Sequence, residues 1–443
     1  MTTAPVEQSV VPAVPGLPGR IRTRRGVGIA VHSVCDYFSF VTVAMLPLLT
    51  THLGLTTGQK ALLLGLGSLM SGLIQPVVAW LSDRWDSRKL STIGLALAVV
   101  CVSNIGRAET FWQLLVLHGV GAMGIGAFHP PAAAAIGRMS GPRRSLGMAI
   151  FFLAGMLGGI GGNLTAPRYV EWMARVVGTA ENPSYAGGLH ALSWLMIPGL
   201  VACVVLGWAI HRTPHRHHAA HDHHAALPAE ERRRRWTAVG VLYASNVIRF
   251  SVNMALVYLF VEWAEAHTLA RAGVGSLSNE LGAQASRLNG PLQAGMQVGM
   301  GGVGLVLGFL LAPRFEKRAF VAFPLFGAVV IALMPFVDRL PASMVVAGAI
   351  VVSVLAGVGF GSVVPITLAA AQRLLPHRTS LASGMMLGGA WAFAFVGPQI
   401  AERVQRAVSL EAAFYATAGM LALAAALCAF LPGRLFADAI DHH

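Results

Sequence analysis

Charged side chains are scarce in this sequence. Asp, Glu, Lys and Arg make up only 12% of its 443 residues, while 55% are hydrophobic. Soluble globular domains carry about twice that charged fraction. The composition therefore excludes an ordinary soluble domain and predicts an all-α membrane protein with many spans.

Cysteines and catalytic motifs are scarce as well. The four cysteines (Cys35, Cys101, Cys203 and Cys428) lie in apolar runs without metal-ligand spacing, which excludes a disulfide or zinc framework. The sequence shows no nucleotide-binding loop, no nucleophile–base spacing and no paired acids. We therefore expect no enzyme activity, no cofactor and no metal site.

Apolar segments near the roughly 20 residues that a membrane span needs recur along the whole chain. Their approximate limits are 27–50, 59–81, 90–107, 111–137, 145–167, 190–211, 237–265, 292–313, 319–337, 343–372, 379–399 and 411–431. They predict twelve transmembrane helices.

A repeat relates the two halves of the chain. Gly124 to Leu146 reads GIGAFHPPAAAAIGRMSGPRRSL, and the stretch 235 positions later reads GFGSVVPITLAAAQRLLPHRTSL. Glycine, proline, arginine and serine match in one register, including Pro130 with Pro365. Such a repeat predicts two pseudo-symmetric six-helix bundles that face one another.

The domain limits follow from the polar stretches. We expect an amino-terminal tail (1–26), a first bundle (27–211), a linker rich in His and Arg (212–236), a second bundle (237–432) and a carboxy-terminal tail (433–443). Two long loops, 168–189 and 266–291, are expected on the opposite side of the membrane from the tails.

The net charge of +13 reflects topology. With the amino terminus in the cytoplasm, 22 of the 32 Lys and Arg residues fall on the cytoplasmic side, as the positive-inside rule requires. We therefore expect both termini in the cytoplasm. Lipid is the expected partner of this charge, and nucleic acid is not.

Charges inside the spans are the strongest functional signal, because burying them in a membrane is costly. Asp36 lies 11 residues past Arg25, or about 16 Å along a helix and midway through a bilayer core of about 30 Å. His32 shares its helix face. Arg249 lies equally deep in the seventh span. If spans one and seven are equivalents, Asp36 and Arg249 can meet at a central cavity, as a proton carrier and an anion-binding group or as a static ion pair. His32 then either relays the proton or fixes Asp36 by a hydrogen bond.

Other polar residues in the spans are candidates for lining a substrate passage. His129 precedes Pro130-Pro131, which remove backbone hydrogen bonds from the helix; it faces either the passage or a neighbouring helix. Gln75, Gln293 and Gln297 are weaker candidates. For His118, nearer the helix end, a packing role is favoured.

The turn after the second span can act as a cytoplasmic gate. It reads AWLSDRWDSRKL and contains Asp83, Arg84, Arg88 and Lys89. An acid at a helix end followed by spaced bases can clamp two helices. By itself, however, the pattern favours a simple positive-inside loop.

Small residues in the fifth span, including Gly155 and Gly159, favour close packing or gating.

The linker contains seven histidines, His211, His215, His217, His218, His221, His223 and His224. Such density can bind transition metals, but it favours a solvated linker, because no fixed ligand geometry accompanies it.

Taken together, these features resemble the major facilitator superfamily of transporters. The DR…RK turn matches that pattern, although Ala79 and Asp86 stand where glycine is usual. His32 and Asp36 followed by Pro47, Gln75-Pro76, Phe128-His129-Pro130 and Arg249 are similar to the fosmidomycin-resistance-type exporters. In the fifth span Gly155 and Gly159 fit the antiporter pattern, but Asn163-Leu164 replaces its Gly-Pro.

The resemblance implies alternating access and proton-coupled export of a small anionic or amphiphilic compound by a monomer. Asp36 and His32 would couple the proton, and Arg249, His129, Gln75, Gln293 and Gln297 would bind substrate. Two alternatives remain: an uptake symporter or metal-ion transporter with the His-rich linker as a sensor, and a membrane scaffold or receptor that transports nothing.

Overall fold

The computed structural model describes residues 17–82, 87–140, 144–210, 228–375 and 378–433. Within these ranges, twelve helical segments are long and apolar enough to cross a membrane, which confirms the predicted number and the all-α class. Two of the predicted gate residues, Asp83 and Arg84, lie outside the described residues, and so do the linker histidines.

The spans are numbered 1 to 12 along the chain. Those of the first half are Leu17–Leu53, Thr57–Ser82, Ser87–Ser103, Phe111–Met139, Arg144–Val177 and Tyr185–Ile210. Those of the second half are Ala229–Ala272, Asn279–Leu310, Pro313–Arg339, Val345–Leu374, Leu381–Ala407 and Leu410–Ala429.

Helix caps set several span ends at the side remote from the amino terminus, here called the far end. The side chains of Thr110, Ser278 and Ser409 each accept a hydrogen bond from the backbone N–H three residues later, which satisfies a free donor of the first turn. Gly273 ends span 7 with a φ of +65°, a conformation that favours glycine. The expected long loop 266–291 is short, because the helices of spans 7 and 8 occupy most of it.

The last part of the predicted linker is helical. The helix of span 7 begins at Ala229 and so includes residues 229–236. Arg234 bonds Glu230 at 2.8 Å and Arg235 bonds Glu231 at 2.7 Å. Acids in the first turn and acid–base pairs four residues apart both favour a helix, and the charge density had masked this signal.

The two halves repeat one packing scheme. Span 1 packs on spans 5 and 6, span 2 on span 4, and span 3 on spans 4 and 6; each pairing recurs six spans later. Gly124 touches the backbone at Gly94, and its repeat counterpart Gly359 touches the backbone at Gly327. A Cβ at either position would collide with the neighbouring helix, so the matched glycines serve the same close approach.

The prolines of the repeat act differently in the two copies. Span 4 continues without a break through Pro130 and Pro131, whereas span 10 is interrupted after Gly361 and resumes at Val364 with Pro365 in its first turn. A proline in the first turn costs no hydrogen bond. Span 11 contains a π-helical segment, Met385–Gly389, a type of irregularity that frequently marks functional sites.

The halves meet mainly along spans 5 and 8, spans 1 and 8, and spans 2 and 11. Asn289 donates to the carbonyl of Val43 at 2.8 Å, and Leu48 N–H donates to Ser286 at 3.1 Å. Further bonds between the halves, Lys60 with Glu265, Thr57 with Glu402 and Arg287 with Glu171, also lie towards the far end. These contacts close the structure at that end.

Span 7 lies at the centre of this closed region. Every residue from Arg249 to Glu265 is buried, which leaves no lipid-facing side over more than four turns. Polar side chains of this stretch therefore contact other spans.

Candidate functional site

The site begins with two polar side chains on one face of span 1. His32 and Asp36 are one helical turn apart, and the His32 Nε2 lies 3.4 Å from Asp36 Oδ2. His32 is buried, whereas the Asp36 side chain remains 19% exposed. The carboxylate is therefore within reach of small solutes at mid-membrane depth.

A third side chain joins them from span 4. The His129 Nε2 lies 3.2 Å from Asp36 Oδ1, and the His129 side chain is 28% exposed. The two imidazoles thus face different oxygens of one carboxylate. We call these three residues, His32, Asp36 and His129, the His–Asp–His cluster.

Backbone carbonyls fix the tautomer of both rings. His32 Nδ1 lies 2.7 Å from the carbonyl oxygen of Phe151, and His129 Nδ1 lies 2.7 Å from that of Ile125. A carbonyl oxygen only accepts, so each Nδ1 carries a hydrogen and each Nε2 of a neutral ring presents a lone pair. Both lone pairs face a carboxylate, and the contacts become attractive when a proton or a cation lies between them.

Aromatic rings and a glycine enclose the cluster. His32 stacks on Phe151 with ring centroids 3.8 Å apart, and His129 packs edge-on to His32 at 5.1 Å. A Cβ built on Gly155 would lie 2.5 Å from Asp36 Oδ2 and 2.7 Å from His32 Nε2. Gly155, predicted as a packing residue, thus leaves the room that the cluster occupies.

Of the three glutamines proposed to bind substrate, Gln297 lies nearest to this region. It is buried, its Oε1 faces Gly159 one turn beyond Gly155, and its Nε2 has no partner among the described residues. Gln293 donates instead to the carbonyl of Val257 at 3.0 Å, between spans 7 and 8. Gln75 lies against Gly388 of span 11.

Arg249 belongs to a separate polar network in the second half. Its Nη2 donates to Asn246 Oδ1 at 3.1 Å and to Thr367 Oγ1 at 2.8 Å. Asn246 in turn donates to the carbonyl of Met386. The network thereby joins Arg249 to the resumed helix of span 10 and to the π-helical segment of span 11.

The predicted meeting of Asp36 and Arg249 is wrong for this structure. The ion-pair partners of Asp36 are His32 and His129 of its own half. Arg249 is 1% exposed, and its Nε and Nη1 have no partner among the described residues. A buried cation with unused donors is costly. A purely structural role therefore does not account for an arginine at this position.

The sequence did not identify the side chains that close the far end. Lys60 of span 2 forms buried ion pairs with Glu262 and Glu265 of span 7, the latter at 2.7 Å. Gln405 donates to Glu262 at 2.8 Å, from span 11 of the same half. Lys60, Glu262 and Glu265 all lie inside predicted spans. Their charge was therefore a signal in the sequence from which they could have been predicted.

The predicted cytoplasmic gate is only partly described. Span 3 begins at Ser87 and includes Arg88, and the Lys89 side chain is exposed. His118, expected to pack, is buried against Gly67 of span 2.

The His–Asp–His cluster also revises the expectation that no metal-ligand set exists. One nitrogen from each histidine and a carboxylate oxygen of Asp36 all lie within 4.8 Å of one another. The set escaped the sequence because its members come from two helices, with 92 residues between Asp36 and His129. The cluster can hold either a proton or a metal cation.

Comparison with known proteins identifies a family for this chain. The family model described as Major Facilitator Superfamily matches residues 29–398. The chain is 24% identical over 423 residues to the fosmidomycin resistance protein of Escherichia coli (strain K12), covering 95% of this chain and 96% of that protein.

Solved structures agree at the level of the fold. A bacterial homologue of the human lysosomal transporter Spinster, inward-facing and unoccupied, superposes with a TM-score of 0.72 at 17% identity, covering 96% of this chain and 99% of that one. A peptide transporter of the POT type gives 0.65 at 17% identity, with 93% and 95% coverage.

Proposed function

The chain belongs to the major facilitator superfamily, and we propose that this transporter exports a small anionic or amphiphilic compound in exchange for protons. It would work by alternating access in the inner membrane, as a monomer with both termini in the cytoplasm. The likeness to a fosmidomycin resistance protein supports export. The basic residues near the tails support this orientation.

The single observation that carries the proton coupling is the position of Asp36. Its carboxylate lies between two imidazole nitrogens, midway along span 1, and stays partly exposed. A proton taken up there would convert the lone-pair repulsion at one of these two contacts into a hydrogen bond. His32 and His129 would therefore stabilise the loaded state, and loss of the proton would loosen the contact between spans 1 and 4.

The substrate would bind between the halves, close to the cluster. His129 is positioned to contact the substrate because its side chain is partly exposed. Gln297 is positioned to do so because its amide nitrogen has no partner among the described residues. Arg249 would hold an anionic group once span 10 or span 11 moves, since its two free nitrogens are covered in this conformation. Gln75 and Gln293 would then act at the contacts of spans 2 and 8.

Closure at the far end supports alternating access. With cytoplasmic termini, this conformation faces inward, and the ion pairs of Lys60 would break when the transporter opens outward. The predicted gate residues Asp83, Arg84, Arg88 and Lys89 would form the corresponding closure on the other side.

Transport by purified protein in liposomes tests the proposal, with fosmidomycin as the first probe. An imposed pH gradient should drive its flux, and Asp36→Asn should abolish that drive while the melting temperature stays the same. Asp338→Asn is the matched control, because Asp338 is a 53% exposed acid at the far end. Normal proton coupling in Asp36→Asn would refute the role of Asp36. Flux equal to that of empty liposomes would contradict transport of this compound.

A further inference from the structure

The His–Asp–His cluster has the composition and spacing of a metal-binding site. We propose that His32, Asp36 and His129 bind one divalent first-row transition-metal ion of the Zn²⁺ class within the passage, in the place of the coupling proton. Binding is independent of the proposed function. Only its consequence for transport, inhibition, rests on that function.

The spacing of the ligand atoms fits such an ion. Zn²⁺ binds histidine nitrogen and carboxylate oxygen at about 2.0–2.2 Å, so neighbouring ligands of a tetrahedral site lie roughly 3.4 Å apart. The two nitrogen–oxygen distances in the cluster are 3.4 and 3.2 Å, to different oxygens of Asp36. With a single oxygen of Asp36, all three ligand atoms lie within 4.8 Å of one another, so side-chain rotations would bring them onto one ion.

The histidines are already oriented as metal ligands. In metal sites the second ring nitrogen usually donates to a carbonyl or carboxylate, which fixes the tautomer. Here both Nδ1 atoms lie 2.7 Å from backbone carbonyl oxygens. The Nε2 of His32 is buried and has no hydrogen-bond partner within the part of the chain that the structure describes, and a cation at the cluster would satisfy it.

The ligand types select the class of ion. Mg²⁺ and Ca²⁺ prefer sites made of oxygen alone, whereas imidazole suits Zn²⁺, Cu²⁺, Ni²⁺ and Fe²⁺. Three protein ligands leave a coordination position for water or substrate. The partly exposed sides of Asp36 and His129 provide that opening and the route of entry.

Cobalt binding to the full-length chain tests the site directly. Co²⁺ replaces Zn²⁺ and has visible absorption bands that report its coordination. The protein is purified without a histidine tag, and the histidines of the linker and of the carboxy terminus are replaced by asparagine so that they do not compete. These are His211, His215, His217, His218, His221, His223, His224, His442 and His443.

We expect this chain to bind one equivalent of Co²⁺ that Zn²⁺ displaces. His129→Gln and Asp36→Asn should each weaken binding by at least about 100-fold, since loss of a ligand exceeds the 10- to 100-fold cost of losing a supporting group. His118→Gln, in the same span as His129, should bind normally. Absence of stoichiometric binding, or equal binding by all variants, would overturn the proposal.

A second pair of variants leaves every ligand in place. Gly155→Ala puts a methyl group 2.5 Å from Asp36 Oδ2, whereas Gly161→Ala in the same helix meets nothing nearer than Tyr37 Cδ2 at 3.8 Å. Binding should weaken at least tenfold in the first and stay within twofold in the second. Equal affinities would contradict a site beside Gly155.

Flux measurements separate this inference from the proposed function. Zn²⁺ should inhibit pH-driven transport by the chain with intact His129, and the inhibition should fall with the affinity in Gly155→Ala. Metal binding without proton-driven flux would refute only the proposed function. Proton-driven flux without metal binding would refute only the proposed metal site.

Discussion

Removing the buried ammonium group of Lys60 should open the far end of the transporter. Lys60 Nζ forms ion pairs with Glu262 and Glu265 across the boundary between the halves, and all three side chains are at least 90% buried. In Lys60→Met the two carboxylates stay in the closed interface without their cation. When the halves separate, water reaches these carboxylates, so the penalty falls on the closed state alone.

The magnitude follows from the cost of leaving a buried charge unpaired, about 3–5 kcal/mol. Gln405 still donates to Glu262, so we adopt the lower limit. About 3 kcal/mol is roughly a 150-fold change in the ratio of closed to open molecules. A population in which 99% of the molecules are closed would then become about evenly divided between closed and open molecules.

Distances between spin labels measure this population. Glu109 and Val408 are exposed at the far end, one in each half. Labels are attached there after the four native cysteines, which are free thiols, have been replaced by alanine. Lys60→Met should add a second, longer distance to the distribution of the parent chain.

A charge-neutral variant shows whether the unpaired charge is the cause. Lys60→Met combined with Glu262→Gln and Glu265→Gln removes all three charges, and replacing buried ion pairs by neutral groups is often without cost. This triple variant should restore the single short distance. An unchanged distribution in Lys60→Met alone would refute the role of these ion pairs in closure.

Four further predictions concern packing and charge. Gly65→Ala places a Cβ 2.9 Å from a backbone oxygen of span 11 and should destabilise the fold by about 1–3 kcal/mol. Gly240→Ala, whose Cβ would meet no described atom within 4 Å, should stabilise the fold by up to about 1 kcal/mol. Equal melting temperatures of the two variants would contradict both glycine predictions. Arg249→Met should keep the melting temperature or raise it, because it removes a buried unpaired cation, while abolishing fosmidomycin flux; retained flux would exclude Arg249 as the anion-binding group. Arg287→Gln should change the unfolding free energy by less than about 1 kcal/mol, since its 3.1 Å pair with Glu171 is half-exposed; a larger loss would show that this pair helps to close the far end.

Local patterns determined the architecture. Hydropathy identified twelve spans because each span must be apolar over its own length, whatever it packs against. The repeat identified two halves, and its matched glycines, Gly124 and Gly359, make the same close helix contact in both. Asp36, His32 and His129 were singled out because a polar group in an apolar run is costly wherever it lies.

Only the tertiary structure decided which of these groups meet. The sequence paired Asp36 with Arg249 because spans 1 and 7 are equivalents, but helix rotation directs Asp36 to His129 of span 4 and Arg249 to Thr367 of span 10. Span 7 is buried on all sides from Arg249 to Glu265, so no contrast between a buried and an exposed face reveals which side turns towards the passage. Contacts between residues so far apart in the chain depend on how whole helices pack, and the period of a single helix does not contain that information.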